Sequence, residues 1–377
     1  MQKNDRKLRR DVLKALGAGT LTTSLGACAP LPAAPAGFKR PYSRKPFVAP
    51  RVSRENVIRE VVGHRPYRAK GFVVKSEKLG DKVVVHNYGH GGSGISLSWG
   101  SSALAVRETL GMAHRDVAVI GSGVMGLTSA RLLQDAGWNV TLYSRDVTRH
   151  TTSNVAGGEW APGGAHDANA SSDAFKSQLM FAARIAHHAY TNLGGPDYGV
   201  RWLERYRPSN ERREPGAGMF SDLYPFEDVL GPGEHPFPTN YCSVAVTMIV
   251  EPAILLRRLI EDVRHAGGKF VVRNFADKEE LLTLKEPVLF NCTGLGARAL
   301  FGDEDLVPAK GQLLFLPPDP DVDYLTSGGG EGRLYMYPRS DALLLGTTFK
   351  PNDWSTNPEP AETGRILRKH QRLFAGI

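Results

Sequence analysis

The sequence predicts an α/β fold, a doubly wound parallel sheet that carries a nucleotide site, with a smaller α+β domain inserted into it. Three observations lead there. Residues 116–146 read as strand, glycine turn, helix and second strand; residues 83–100 read as a strand whose glycine turn opens a helix; and residues 194–250 change to a Gly-, Pro- and aromatic-rich composition with short strand-like runs such as 243–250.

Residues 117–120 (VAVI) have the length and branching of a strand buried on both faces, and Gly121, Gly123 and Gly126 place G-x-G-x-x-G at its junction with a helix. Gly121 permits the tight turn, Gly123 lets a pyrophosphate approach the backbone, and Gly126 lets the helix pack on the strand. The N–H groups of the helix start, around Ser122, Val124 and Met125, hold the phosphate charge. The helix closes at Gly137, and residues 140–143 form a second strand ending in Ser144, Arg145 and Asp146. Asp146 stands close to where a ribose-binding carboxylate is expected. Strand, helix, strand and acid in this order point to a Rossmann-like dinucleotide site, but leave NAD and FAD both open.

At 377 residues the chain is long enough for two domains, and its composition is that of an ordinary globular protein. The net charge of +8 suggests a nucleic-acid partner only until it is located. Half of the excess lies in residues 1–28, where Lys3, Arg6, Lys7, Arg9, Arg10 and Lys14 face only Asp5 and Asp11. No later stretch gathers Lys and Arg beside aromatics, so a nucleic-acid partner is not expected. The N-terminus resembles a twin-arginine export signal: Arg9-Arg10, then a weakly apolar run over 15–27, too short and too polar to span a bilayer. The run ends in Leu25-Gly26-Ala27-Cys28, which looks like a lipoprotein cleavage box; acylation of Cys28 and a plain cleaved signal with a chance cysteine both remain open. The expectation is an exported protein, periplasmic or in the cell envelope. Cys242 and Cys292 allow no cysteine framework, and no metal site is expected. Residues 29–50, rich in Pro and Ala, read as a disordered linker.

Ahead of the glycine motif, residues 63–68 (GHRPYR) lead into an alternating stretch at 71–75, and then into residues 83–100, VVVHNYGHGGSGISLSWG. A strand, then NYGHGG, then a helix resembles the flavin-binding signature of the D-amino-acid oxidase family. The resemblance continues through 151–162 (TTSNVAGGEWAP), 288–294 (VLFNCTG), Gly311-Gln312 and 334–349 (LYMYPRSDALLLGTTF), and so covers residues 51–377. It implies FAD rather than NAD. The cofactor contacts it implies are Gly91, Ser93, Gly94, Ile95 and Ser96 at the second helix start; Gly121 through Gly126; Arg145 or Asp146 on the ribose; Thr151, Thr152, Ser153, Gly157 and Gly158 beside the ring; and Phe275 and Thr293. A twin-arginine route carries folded proteins and would let such a protein collect FAD before export. In the family the GxRPxR and NYGHGG segments close the chain, whereas here they precede the glycine motif, which looks like a circular permutation.

A guanidinium gives a carboxylate two parallel charge-assisted hydrogen bonds and fixes its orientation, which lysine cannot do. In the family's pattern that arginine falls on Arg65, the tyrosine that also reaches the carboxylate on Tyr335, and the carbonyl that accepts from the substrate amine on Gly92. The resemblance therefore implies oxidation of D-amino acids to 2-oxo acids, ammonia and hydrogen peroxide, with dioxygen as electron acceptor. A flavin dehydrogenase, a secondary-amine or glycine oxidase of the same fold, and a non-catalytic flavin-binding lipoprotein remain as alternatives. Three departures stand out: Glu331 where animal members have a tyrosine, Arg145-Asp146 in reversed order, and Glu159 in place of an apolar flavin neighbour. His187-His188 reads as surface and packing, and no hydrolytic constellation is legible.

Long helices are expected at 173–193 and at 252–265, the second with Pro252 in its first turn and Gly267 as cap, and a last helix near 361–374. The expected division is a signal at 1–28 and a linker at 29–50; an FAD-binding domain at 51–172, 252–307 and 351–377; and a substrate domain at 173–251 and 308–350. The sequence carries no signal of oligomeric state.

Overall fold

The computed structural model describes residues 39–145, 151–328, 334–346 and 348–377. Asp146 and Glu331 lie outside the described residues. The first of two sheets has six strands, in the order β2 (Val73–Leu79), β3 (Lys82–Tyr88), β10 (Val288–Asn291), β4 (Asp116–Ile120), β5 (Asn139–Ser144) and β9 (Lys269–Val272). From β3 to β9 all neighbours are parallel, and β2 returns antiparallel at the edge. The last four residues of β4 are buried, as a strand covered on both faces requires.

Helices α1 (Gly94–Arg107), α2 (Val124–Asp135), α3 (Asp173–Asn192) and α4 (Pro252–His265) lie beside this sheet, α1 packing on α2 and α3, and α2 on α4. Each has a legible cause. Ser172 caps α3 by accepting the Phe175 N–H at 3.1 Å, and α4 opens on Pro252 and buries Leu255, Leu256, Leu259 and Val263 along one stripe. Gly100 lets α1 and α3 touch, because a Cβ there would lie 1.8 Å from the Ala182 carbonyl oxygen. Two short helices, α5 (Glu279–Leu282) and α6 (Gly296–Phe301), complete this part. No helix among the described residues is long and apolar enough to cross a membrane.

The second sheet runs β1 (Arg59–Arg68), β11 (Leu306–Leu316), β14 (Leu343–Gly346), β13 (Tyr335–Pro338), β12 (Tyr324–Ser327), β6 (Val200–Ser209), β8 (Tyr241–Val250) and β7 (Glu227–Leu230), with β15 (Lys350–Pro351) also on β11. One face looks into a cavity. The other is covered by α7 (Pro360–Leu373), whose Ile366, Leu367 and Leu373 pack with Leu314, Leu316, Leu343 and Leu345.

Three segments sit elsewhere than the sequence suggested. β1 joins the second sheet through a ten-residue antiparallel register with β11. α7 also belongs to that sheet, because its apolar stripe matches the outer face of β11 and β14 and not the nucleotide sheet. α3 packs instead on α1. Residues 39–50, expected to be disordered, dock on the second sheet. The Arg40 side chain is buried against Glu204 at 2.5 Å and against Asp323, the Tyr42 and Ser43 N–H groups donate to Glu204 Oε1, and Phe47 stacks on Tyr324 at 4.0 Å. A buried carboxylate needs such partners, and the docked strap supplies three of them.

Candidate active site

The turn after β4 is built as a phosphate cradle. Gly121 has φ +110°, and a Cβ there would lie 2.4 Å from the Cys292 carbonyl oxygen; a Cβ on Gly126 would lie 1.9 Å from the Gly121 carbonyl oxygen. Gly123 starts α2 with no capping side chain of its own, and the Val124 N–H donates to Ser153 Oγ at 3.1 Å. A helix start whose neighbours are glycines and a small hydroxyl lets an anion approach its N–H groups. From it a cavity of about 740 Å³ extends both ways. One end is lined by Tyr143, Arg145, Arg273, Phe275 and Thr293, the other by Arg65, Glu159, Tyr335, Tyr337 and Trp354. Anion cradle, aromatic end and elongated cavity fit the FAD implied by the sequence.

Of the residues expected at the cofactor, Gly91, Gly94, Ile95, Gly121, Ser122, Gly123, Val124, Met125, Arg145, Thr151, Thr152, Ser153, Gly157, Gly158, Phe275 and Thr293 line this cavity. Ser93, Ser96 and Gly126 do not. The Ser93 N–H donates to the His90 carbonyl, and its hydroxyl donates to the Ala161 carbonyl at 2.8 Å. Ser96 Oγ accepts the Ala161 N–H at 2.8 Å and donates to the Glu159 carbonyl at 3.2 Å. Their work is to hold the 159–161 segment against α1, and Gly126 serves packing.

His90, at the entry to this helix, is buried, and its ring stacks on Phe72 at 4.6 Å. Burial alone pushes it down to about 3, so it is neutral at ordinary pH. A histidine depressed in the folded state binds its proton more readily when unfolded. Stability is therefore full above the unfolded value near 6.5 and falls as pH drops toward 3, by about 1.4 kcal/mol per pH unit from this group. Thermal unfolding of wild type and His90→Asn at neutral and mildly acidic pH tests this, and the variant should lose less on acidification. Equal losses would mean that His90 does not contribute.

At the other end, the cavity-facing side of the second sheet presents a floor of two glycines. The Arg65 guanidinium from β1 lies over Gly311 of β11, where a Cβ would sit 2.3 Å from Nη1, and the Tyr335 ring from β13 lies over Gly346 of β14, 2.4 Å from a Cβ. Arg65 Nη1 also donates to the carbonyls of Thr348 at 3.2 Å and Ala309 at 3.4 Å, and its Cδ passes 3.5 Å from the Cβ position of Gly92. Arg65, Tyr335 and Gly92 thus meet in one cavity. A Gly311→Ala variant should displace the guanidinium without touching the cofactor cradle: catalytic efficiency falls about tenfold or more, while flavin content is kept. Unchanged steady-state kinetics would show that Arg65 has room to move.

Sequence reasoning missed the residues beyond Tyr335. Tyr337 stacks on Tyr335 at 4.2 Å and donates to Glu159 Oε2 at 2.6 Å; Arg205 of β6 donates to Glu159 Oε1 and to the Tyr224 hydroxyl, both at 3.2 Å. Beside this carboxylate the Tyr337 hydroxyl is held well above its usual range, first by burial. Strand alternation from Tyr335 signals Tyr337, because residues two apart share a face. Arg205 has no local signal, since only the strand order brings β6 to this side. His187 packs edge-on against Trp160 at 5.0 Å and Trp202 at 5.8 Å.

Comparison with known proteins agrees with this geometry. Residues 116–377 match the family described as FAD dependent oxidoreductase (DAO). The chain is 31% identical to a D-amino-acid oxidase of Rubrobacter xylanophilus over 273 residues, 70% of this chain and 79% of that protein. It is 30% identical to a D-amino-acid oxidase of Streptomyces coelicolor, over 67% of this chain and 76% of the other. Among solved structures, glycine oxidase from Bacillus cereus superposes with a TM-score of 0.56 at 16% identity, covering 70% of this chain and 80% of that one.

Proposed function

Because the chain belongs to the FAD-dependent oxidoreductase (DAO) family and its relatives at 30 and 31% identity are D-amino-acid oxidases, we propose that it deaminates D-amino acids, converting a D-amino acid, dioxygen and water into a 2-oxo acid, ammonia and hydrogen peroxide. One observation carries the reading: the Arg65 fork and the Tyr335 ring lie over glycines of the neighbouring strands β11 and β14, in the cavity that also holds the FAD cradle. FAD, when bound, takes the α-hydrogen with its electron pair.

The chain's own residues do the rest. Arg65 offers two parallel donors to the substrate carboxylate and Tyr335 a third, which orients the α-carbon. The Gly92 carbonyl accepts a hydrogen bond from the amine and fixes its direction. The start of α1 directs a positive dipole end at the cavity and stabilises charge that develops there. We read the 51–110 segment as the family's closing segment moved ahead of the glycine motif, since it supplies Arg65 and Gly92 to a cavity shared with residues 121–126. Export, with Cys28 as a lipid anchor, belongs to the same proposal.

The test is peroxide formation and product analysis across D-amino acids, their L-enantiomers, glycine and N-methylglycine. Turnover confined to D-enantiomers supports the reading. Turnover of glycine and N-methylglycine alone would move the protein to the secondary-amine oxidases, and flavin reduction without peroxide would make it a dehydrogenase.

A further inference from the structure

We infer that Glu159 sets the substrate side-chain preference, toward D-amino acids that end in N–H donors: an ammonium, a guanidinium or a carboxamide. The inference rests on the proposed placing of the substrate carboxylate at Arg65 and Tyr335. From that point the same face of the sheet continues along β13 to Tyr337, whose ring stacks on Tyr335 and whose hydroxyl meets Glu159. With the carboxylate at Arg65, the amine at Gly92 and the α-hydrogen toward the cofactor, the side chain is left to run along the two tyrosines. It ends at Glu159, the one acidic residue that lines the cavity among the described residues.

A carboxylate is acceptor-only and has room for about four donors. The protein supplies Tyr337 to one oxygen and Arg205 to the other, so acceptor capacity remains. The Glu159 and Arg205 side chains are only 6 and 7% exposed, so water screens them weakly. Glu159 lines the cavity and Arg205 does not, and the pair therefore turns its negative end to the substrate. A donor arriving there gains a charge-assisted hydrogen bond. An apolar side chain would desolvate the carboxylate and return nothing, and an anionic one would be repelled.

Isosteric pairs test this on the FAD-loaded enzyme. kcat/KM for D-lysine over D-norleucine, and for D-glutamine over D-glutamate, should each exceed about tenfold, the discrimination expected where a buried polar group is left unpaired by the wrong substrate. Calorimetric binding of 6-aminohexanoate against hexanoate, which lack the α-amine and cannot react, should show the same order without turnover. Glu159→Leu should bring both ratios to about one or below. Because that variant leaves the Arg205 charge buried alone, Glu159→Leu with Arg205→Met gives a second route to the same readout. Preference of the wild type for D-norleucine overturns the inference, as does preference for D-glutamate, which would mean that Arg205 sets the local field. If no D-amino acid is oxidised, the parent reading fails, and the 6-aminohexanoate pair still decides the role of Glu159.

Discussion

An Arg65→Ala variant is expected to keep its FAD and its melting temperature while kcat/KM for its best substrate falls at least tenfold, and by about a hundredfold if the carboxylate is left buried without a partner. The loss follows from what the guanidinium does. A hydrogen bond to a charged group is worth about 1.5 to 3 kcal/mol, and an unpaired buried carboxylate costs more. At about 1.4 kcal/mol per factor of ten, those energies give the stated range. Stability should move little, because the side chain lies over a glycine and its carbonyl contacts, to Ala309 and Thr348, are 3.4 and 3.2 Å long. Arg65→Lys separates charge from geometry: it keeps the first, loses the two-pronged contact, and should fall between wild type and the alanine variant. Steady-state kinetics with flavin content per chain checks both, and an alanine variant with full flavin and unaltered kcat/KM would place the carboxylate on another residue.

Gly126→Ala should yield protein with little or no bound flavin and a lowered melting temperature. The Cβ would lie 1.9 Å from the Gly121 carbonyl oxygen, and that atom is backbone, so no side chain can swing away. α2 must move off β4, which opens the turn that places the Gly123 helix start. Overpacking costs about 1 to 3 kcal/mol where neighbours can adjust, and a backbone neighbour puts this site at the upper end or beyond. Flavin absorbance per chain and thermal unfolding of the purified variant measure the two effects. Wild-type values of both would mean that the helix and strand have slack.

What was legible in the chain was whatever is written locally. The glycine motif could be read because each glycine answers to one steric demand within a few residues. α4 runs from Pro252 to His265 as its punctuation implies, because Pro, an apolar stripe and Gly267 at φ +84° leave few other choices. Arg65, Tyr335 and Gly92 came from segment resemblance, and the sheet brings them together. The polar wall opposite them was not legible. Arg205 and Glu159 are far apart in the chain, and they meet because the segment that carries Glu159 bridges β8 at Ile249 while β6 pairs with β8. The strap was misjudged for a related reason: Pro and Ala around residue 40 have a linker's composition, while the partner that orders Arg40 stands 164 residues on. For α7, an apolar stripe says that a helix is covered but not by which sheet.

That strap also limits how far the chain can be trimmed from its N-terminal side. Glu204, with its side chain wholly buried, depends on Arg40 for its nearest countercharge and on the Tyr42 and Ser43 amides for two more contacts. A protease cutting before residue 39 removes nothing that these contacts need. A cut after Arg40 strands a carboxylate in the core of the second sheet, next in sequence to the Arg205 that partners Glu159. A chain begun at Lys39 should keep the wild-type melting temperature, whereas one begun at Arg44 should lose several degrees, because Glu204 then has neither the guanidinium nor the two amides.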